Sequence, residues 1–213
     1  MAASVPPQHK HPVDYFLVLD FEATCDKDRK VSPQEIIEFP VLKVNAKTMQ
    51  EESHFHSYVT PTANPVLTPF CTELTGITQD MVTGKPNLQT VLQDFDRWMQ
   101  GEGLLKPEVN ICFVTCGDWD LKTMLPKQCN AFKLHHPHYM KKWMNIKFAF
   151  RNIKGYRPHG MPEMLAALGL ELLGRHHSGI DDSRNITQIL AKLAVLGKEK
   201  GIVLGPTSEY KTN

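Results

Sequence analysis

The sequence contains no apolar run that approaches the roughly 18 residues required by a membrane-spanning helix, and its first twelve residues contain no apolar segment typical of a secretory signal. These two absences predict a soluble intracellular protein of the cytoplasm, the nucleus or both, and not a secreted one. The five cysteines are odd in number and show no close pairing, so we expect reduced thiols and not a disulfide framework.

The sequence also lacks an excess of either charge, because 24 Lys and Arg stand against 23 Asp and Glu. A protein that holds nucleic acid by bulk positive charge alone is therefore excluded. Locally the balance differs, since residues 121–162 contain nine basic residues, several aromatic residues and no acidic residue. This composition fits a groove for single-stranded nucleic acid, and it fits equally a solvated basic face that covers ordinary core aromatics.

The chain has no internal repeat and no long linker, and 41% of its 213 residues are hydrophobic, which predicts one domain with one sizeable core. We expect a disordered lead over residues 1–13, a folded domain over residues 14–197 and a C-terminal extension over residues 198–213. Apolar patterns predict strands over residues 15–21, 36–44, 53–60 and 109–115, and helices over residues 68–74, 87–99, 162–170 and 182–196, with a further helix beginning at residues 121–125. Strands that come first and then alternate with helices predict an α/β fold, in which helices flank a mixed sheet.

Two pairs of acidic residues follow the ends of predicted buried strands, Asp20/Glu22 and Asp118/Asp120. Because side chains alternate along a strand, positions 20 and 22 project to the same face. Adjacent carboxylates repel each other unless cations neutralise them, and Mg²⁺ and Mn²⁺ prefer oxygen ligands. Since ligands collect outside strand ends in open α/β sheets, both pairs are candidates for a divalent-metal site.

A third candidate segment lies near the C-terminus, where histidines precede acidic residues by five positions. A neutral histidine can take a proton from water, and the acid can share a metal with the strand carboxylates. Two registers fit this requirement, His176 with Asp181 and His177 with Asp182. A capping role at the start of a helix is the alternative for either acid.

The motifs D-F-E-A-T at residues 20–24, L-T-G-I-T at residues 74–78, W-D at residues 119–120 and H-S-G-I-D-D at residues 177–182 resemble, in order and spacing, those of the DEDDh 3′→5′ exonucleases. The resemblance extends over residues 14–197. Within that superfamily the sequences DFEATC, EIIEFP, WMNI and GIDDS are similar to the enhanced-RNAi/histone-mRNA type of exoribonuclease, and to its third vertebrate branch in particular.

This resemblance implies an RNase H-like exonuclease domain, with a mixed five-stranded sheet flanked by helices. It implies two Mg²⁺, for which Mn²⁺ can substitute, held by Asp20, Glu22, Asp120 and Asp182, with Glu22 and His177 as catalytic residues and His177 as the general base. It thereby selects the register of His177 with Asp182, selects Asp120 over Asp118, and leaves Asp118 without a role. The residues implied to contact the terminal nucleotide are Glu22, Ala23, Thr24, Leu74, Trp119 and His177.

The implied activity is hydrolysis of single-stranded RNA from its 3′ end to nucleoside 5′-monophosphates, on no membrane. The alternatives are a DNA 3′→5′ exonuclease and a binding adapter that keeps the fold without turnover. A protein partner that supplies targeting is also expected, and the name of the third vertebrate branch suggests the prion protein. The histidine-rich segment at residues 135–138 fits no closed four-ligand pattern, so we do not expect structural zinc there.

Overall fold

A computed structural model describes residues 12–211. The prediction of a disordered lead falls almost entirely on residues outside the described part of the chain. The described strands are β1 (Tyr15–Val18), β2 (Glu22–Ala23), β3 (Ile36–Asn45), β4 (Glu51–Tyr58), β5 (Ile111–Thr115), β6 (Lys142–Asn145) and β7 (Ser208–Glu209). The described α-helices are α1 (Pro69–Thr75), α2 (Gln79–Val82), α3 (Leu88–Gly101), α4 (Leu125–Ala131), α5 (Ile146–Lys154), α6 (Met161–Leu168) and α7 (Gly179–Glu199).

The strands form one mixed sheet in the order β2-β3-β1-β5-β6-β7, with β4 on the other edge of β3. β1, β2 and β4 are antiparallel to β3, whereas β1, β5 and β6 run parallel to one another. The predicted mixed sheet with flanking helices is therefore confirmed. The structure has seven strands and not the expected five, because β2 and β7 are two-residue strands whose existence depends on pairing with β3 and β6.

The first predicted strand is interrupted. Residues 15–21 were expected to be continuous, but β1 ends at Val18 and the pairing with β3 resumes at Glu22 of β2 in the same register. Between the two strands, the backbone N–H of Leu19 donates to the carbonyl of Val114, and that of Phe21 donates to the Asp120 carboxylate. Asp20 therefore lies between the two paired segments, just beyond the end of the central strand.

Helices cover both faces of the sheet. Phe16 and Val18 of β1 face a core built with α5, α6 and α7, whereas the alternate residues Leu17 and Leu19 face a core built with α3 and α4. All four side chains are fully buried. This alternation explains why the strand is an unbroken apolar run in the sequence.

Two elements of the basic segment were not predicted, β6 and α5. Trp143 in β6 and Phe150 in α5 are fully buried, so these aromatics belong to the core and the basic residues near them lie on its outer face. Tyr156, by contrast, is 42% exposed. Residues 207–210 return to the sheet beside β6, where the backbone N–H of Thr207 donates to the carbonyl of Trp143. Over residues 12–211, no helix has the length and apolar character required to cross a membrane.

Candidate active site

Four carboxylates approach one another beyond the carboxyl ends of β1 and β5. Asp20 lies just after β1, Glu22 lies in β2, Asp120 lies in a π-helical turn that follows β5, and Asp182 lies in the first turn of α7. The π-helical turn spans Trp119–Met124 and leads directly into α4. π-helical turns are rare and occur frequently at functional sites. The site therefore occupies the sheet edge that both predicted acid pairs indicated.

Three of these carboxylates have oxygens within 4.8 Å of one another, those of Asp20, Glu22 and Asp182. Asp120 lies beside this group, and one of its oxygens accepts the hydrogen bond from Phe21 at 2.9 Å. Glu22, Asp120 and Asp182 are buried, with exposed fractions of 9%, 3% and 2%. A buried set of carboxylate oxygens fits a hard divalent cation, which takes oxygen ligands and neutralises the repulsion among them.

Burial is the main electrostatic effect on these carboxylates, and repulsion between carboxylates adds to it at Asp20 and Glu22. Burial, followed by the charge of Asp120, raises the pKa of Asp20 well above its ordinary value. Burial, followed by the charge of Glu38, raises the pKa of Glu22 to about 9. The pKa of Asp120 is raised by burial to about 6, against the lowering effect of the Phe21 N–H, and burial also raises the pKa of Asp182. Without a cation, these carboxylates thus keep their protons to a higher pH than ordinary carboxylates do.

Glu38 anchors the helix that carries Asp182, and the sequence did not indicate this role. Its buried carboxylate accepts hydrogen bonds from the backbone N–H groups of Gly179 at 2.9 Å and Ile180 at 3.1 Å, and it contacts His56 Nε2 at 2.8 Å. Gly179 is required for this approach, since a Cβ there would lie 2.6 Å from the backbone oxygen of Asp20. Glu38 pairs directly opposite Glu22 in the sheet, so it fixes α7 close to β2, the strand that carries Glu22.

The two histidine registers converge in the structure. The backbone N–H of His177 donates to the carboxylate of Asp182 at 2.9 Å, whereas the His176 ring contacts the same carboxylate through Nδ1 at 3.1 Å. Asp181 instead accepts the backbone N–H of Arg175 and lies outside the carboxylate group. Burial, followed by the charge of His176, lowers the pKa of His177, so its ring is neutral at neutral pH and can accept a proton.

A cavity of about 260 Å³ opens onto the carboxylates. Its walls contain Asp20, Glu22, Asp120 and His177 together with the predicted substrate contacts Ala23, Leu74 and Trp119. Thr24 does not line it: the Thr24 side chain is buried and accepts a hydrogen bond from the backbone N–H of Glu35, which ties β2 to the start of β3. A larger cavity of about 680 Å³ lies between α3 and residues 133–139, and its lining includes only one acid, Asp96.

Asp118 has a structural contact of its own. One oxygen of its carboxylate accepts a hydrogen bond from the indole Nε1 of the buried Trp143, at 3.0 Å. The acid that the resemblance left without a role therefore joins the π-helical turn to β6. Asp120, two residues later, instead accepts the backbone N–H of Phe21, just before β2.

Comparisons with known proteins agree with this geometry. The family model described as Exonuclease (RNase_T) matches residues 17–190. ERI1 exoribonuclease 3 of Mus musculus is 56% identical over 200 residues, which are 92% of this chain and 58% of that relative. This chain thus spans less than two thirds of the relative's length.

Solved structures match over most of the chain as well. The nuclease domain of 3′hExo, a DEDDh family member, bound to rAMP, superposes with a TM-score of 0.84 at 36% identity, covering 92% of this chain and 98% of that one. The 3′-exonuclease in a structure of 3′-end specific recognition of a histone mRNA stem-loop has a TM-score of 0.85 at 35% identity, covering 94% and 88% of the two chains.

Proposed function

This chain belongs to the Exonuclease (RNase_T) family of DEDDh nucleases, and from that premise we propose that it is a metal-dependent 3′→5′ exoribonuclease. It hydrolyses single-stranded RNA from the 3′ end and releases nucleoside 5′-monophosphates. The observation that carries the proposal is the convergence of Asp20, Glu22 and Asp182 within 4.8 Å, beside Asp120 and a neutral His177. RNA is favoured as substrate because the similar proteins are named exoribonucleases or recognise the 3′ end of a histone mRNA stem-loop.

Two Mg²⁺, or Mn²⁺ in their place, would be held by Asp20, Glu22, Asp120 and Asp182. Bound there, such cations supply a nucleophile by lowering the pKa of water, and they neutralise charge on the phosphodiester in the transition state. The raised pKa values of Asp20 and Glu22 support this assignment, because a bound cation offsets both the burial and the carboxylate repulsion that raise them.

Groups of the protein itself remove the proton from the attacking water and hold the general base in position. His177 acts as the general base: its imidazole is neutral at neutral pH and lies at the rim of the cavity, where it can accept the proton of the attacking water. Its backbone is held by the Asp182 carboxylate, which places the base beside a metal ligand. After the phosphodiester breaks, the protonated imidazole returns its proton to solvent.

The walls of the cavity hold the terminal nucleotide. Glu22 and the backbone of Ala23 contact its 3′ hydroxyl, which restricts cleavage to free ends. Leu74 and the 40% exposed indole of Trp119 supply apolar surface for the base. Thr24 lies behind this wall, where its side chain accepts the backbone N–H of Glu35, and its contact with the nucleotide stays a prediction.

A protein partner that supplies targeting, with the prion protein suggested by a family name, stays a prediction, as does the intracellular location.

The test uses 5′-labelled single-stranded RNA and DNA of the same sequence, with Mg²⁺, Mn²⁺ or EDTA. We expect a ladder that shortens from the 3′ end of the RNA, requires the cation and is lost in Asp120→Asn. Asp118→Asn is the matched control, since its amide oxygen can still accept the Trp143 bond, and it should keep the activity. Faster cleavage of DNA than of RNA would show that DNA is the substrate. Intact RNA under every cation condition would refute the nuclease activity and favour a binding adapter.

A further inference from the structure

We propose that His176, His177 and Asp182 form a second metal site, which binds a divalent transition metal such as Zn²⁺ and thereby holds the nuclease in an inactive state. The binding itself is a property of the three side chains. The inhibition rests on the proposed function, because it requires that Asp182 and His177 serve in RNA cleavage.

The three side chains already meet. Each offers one ligand atom, and these atoms lie within 4.8 Å of one another. His176 Nδ1 lies 3.1 Å from one Asp182 oxygen and 3.3 Å from the other. Zinc bonds of about 2.0–2.1 Å place two ligands at most about 4 Å apart, so a small rotation of the imidazoles closes the group. The His177 residue is exposed and the His176 side chain is 36% exposed, which leaves both rings free to make that rotation.

The backbone places both imidazoles on the same side, which adjacent residues rarely achieve. His177 adopts a positive φ of 65°, and its ring stacks on that of His176 with centroids 3.9 Å apart. The turn is held at two further points, because Asp181 accepts the Arg175 N–H at 3.0 Å and Asp182 accepts the His177 N–H at 2.9 Å. A left-handed conformation at a non-glycine residue is strained and persists only where surrounding contacts enforce it. The pair of imidazoles is therefore built into the loop.

Nearby positive charge is directed away from these ligands. The guanidinium of Arg175 donates to the backbone carbonyls of Glu73 and Leu74 in the last turn of α1. Arg184 faces Asp181 and Glu51 at 3.7 Å and 3.9 Å. The space around Asp182 thus keeps its negative character toward the imidazoles.

The ligand chemistry separates this site from the carboxylate group. Asp20, Glu22 and Asp182 offer only oxygens, which suit Mg²⁺ and Mn²⁺, whereas two imidazoles and one carboxylate suit Zn²⁺, Co²⁺ or Cu²⁺. Three protein ligands leave a fourth position of the tetrahedron for water. The two groups share Asp182, so a metal held by the histidines removes a ligand from the carboxylate group. It also occupies the His177 ring nitrogen that would accept the proton.

The direct test uses the metal alone and does not depend on activity. The full chain is stripped with EDTA and titrated with Co²⁺, whose visible absorption is strong in a tetrahedral site with nitrogen ligands and weak in an octahedral site of oxygens. We expect a strong band that saturates at one equivalent, is displaced by Zn²⁺ and is absent in His176→Asn. His135→Asn is the matched control, since His135 is exposed on the distant 133–139 segment, and it should keep the band.

The second readout is inhibition. Zn²⁺ should inhibit Mg²⁺-supported RNA cleavage, and the Zn²⁺ concentration for half inhibition should rise at least about tenfold in His176→Asn, each variant being normalised to its own rate without Zn²⁺. Tenfold is the lower end of the loss that follows removal of even an outer hydrogen-bond partner of a metal ligand. A thermal melt of each variant shows that the fold is retained.

The outcomes separate this proposal from the nuclease proposal. A strong Co²⁺ band that survives in His176→Asn overturns the histidine site. Equal inhibition of wild type and His176→Asn by Zn²⁺ overturns the inhibitory role. A band that depends on His176 in a protein without RNA cleavage upholds the metal site and removes the nuclease function instead.

Discussion

Two kinds of buried carboxylate occur in this chain, and they differ in the groups that surround them. Glu35 is 1% exposed, and its oxygens accept hydrogen bonds from the backbone N–H groups of Thr62, Ala63 and Asn64 at 2.6–2.9 Å and from the Thr62 hydroxyl at 3.0 Å. Glu38 is equally buried and accepts two backbone N–H groups of α7. The carboxylates of the candidate site, in contrast, largely face one another: Asp20, Glu22, Asp120 and Asp182.

The difference teaches which buried acids serve the fold and which serve the site. An acid surrounded by N–H donors stabilises the chain that donates to it, because each buried donor is paired. Acids that surround one another destabilise the metal-free protein and become favourable only when a cation binds. Burial alone separates neither class, since Glu38 and Glu22 lie directly opposite each other on paired strands.

The largest expected effect is that of a substitution at Asp20, which should remove activity and stabilise the metal-free fold. Asp20→Asn should lower RNA cleavage by about 10³-fold or more, which corresponds to ~4 kcal/mol in activation free energy. The same change should raise the melting temperature of the metal-free protein, because a neutral amide removes a carboxylate whose pKa burial and Asp120 raise. Cleavage rates and EDTA-treated melts check the two halves, and a lower melting temperature would show that the carboxylates do not repel one another in the folded state.

A substitution at Glu35, an acid that accepts backbone hydrogen bonds, should instead destabilise the fold. Glu35→Ala leaves the four donors of residues 62–64 without their acceptor, and the expected loss is on the order of 3 kcal/mol of unfolding free energy. For a chain of this size, that is a fall of about 6–12 °C in melting temperature. Glu108→Ala, at an exposed acid, is the control and should change the melt by little. A fall no larger than that of the control would remove Glu35 from the structural class.

A substitution at Glu38 tests whether an acid that accepts backbone hydrogen bonds also serves the site. Glu38→Gln replaces one oxygen by an amide that cannot accept the N–H groups of both Gly179 and Ile180, so the start of α7 loosens around Asp182. We expect a loss of about 10- to 100-fold in Mn²⁺ affinity, the range found when a partner that orients a metal ligand is removed. The rate at saturating Mn²⁺ should recover more than the rate at low Mn²⁺. An unchanged Mn²⁺ dependence with a lowered melting temperature would reduce Glu38 to a purely structural acid.

A further effect is a dependence of stability on pH. The pKa of Glu22 is raised to about 9 in the folded, metal-free protein, from an ordinary value of 4.5. Its favourable contribution is therefore complete below about 4.5 and is lost as the pH rises toward 9. Glu22→Gln does not titrate, so its advantage in melting temperature over wild type should grow between pH 6 and pH 9 in EDTA. An advantage that stays constant with pH would contradict the raised pKa.

Much of the site was predictable from the sequence, because its acids follow the ends of buried apolar runs and because side chains alternate along a strand. Asp20 and Glu22 do come together, although the strand breaks between them. Between them, Phe21 donates its backbone N–H to Asp120, 99 positions away, and no local pattern contains this bond. The separation of Asp118 from Asp120 likewise depends on Trp143 of a strand that was not predicted.

The parts that were not predicted depend on long-range pairing. β2 and β7 are too short to show a period of their own, and β6 and α5 lie in the basic segment, where aromatics that pack in the core fitted a nucleic-acid groove equally well. Glu38 lies within the apolar sequence EIIEFP, and its partners are backbone groups 141 and 142 residues away. Backbone donors leave no trace in the side-chain pattern, so this anchor required the structure.

The most direct test of the central claim counts the protons that leave when the carboxylates bind a cation. Mn²⁺ is titrated calorimetrically into the EDTA-stripped and desalted protein at pH 7, in buffers that differ in ionisation enthalpy. Because Glu22 has a pKa of about 9 without metal, we predict that binding releases about one proton or more, and that Glu22→Gln releases fewer. Mn²⁺ binding without proton release, or an absence of binding, would contradict a metal site built from these mutually repelling acids.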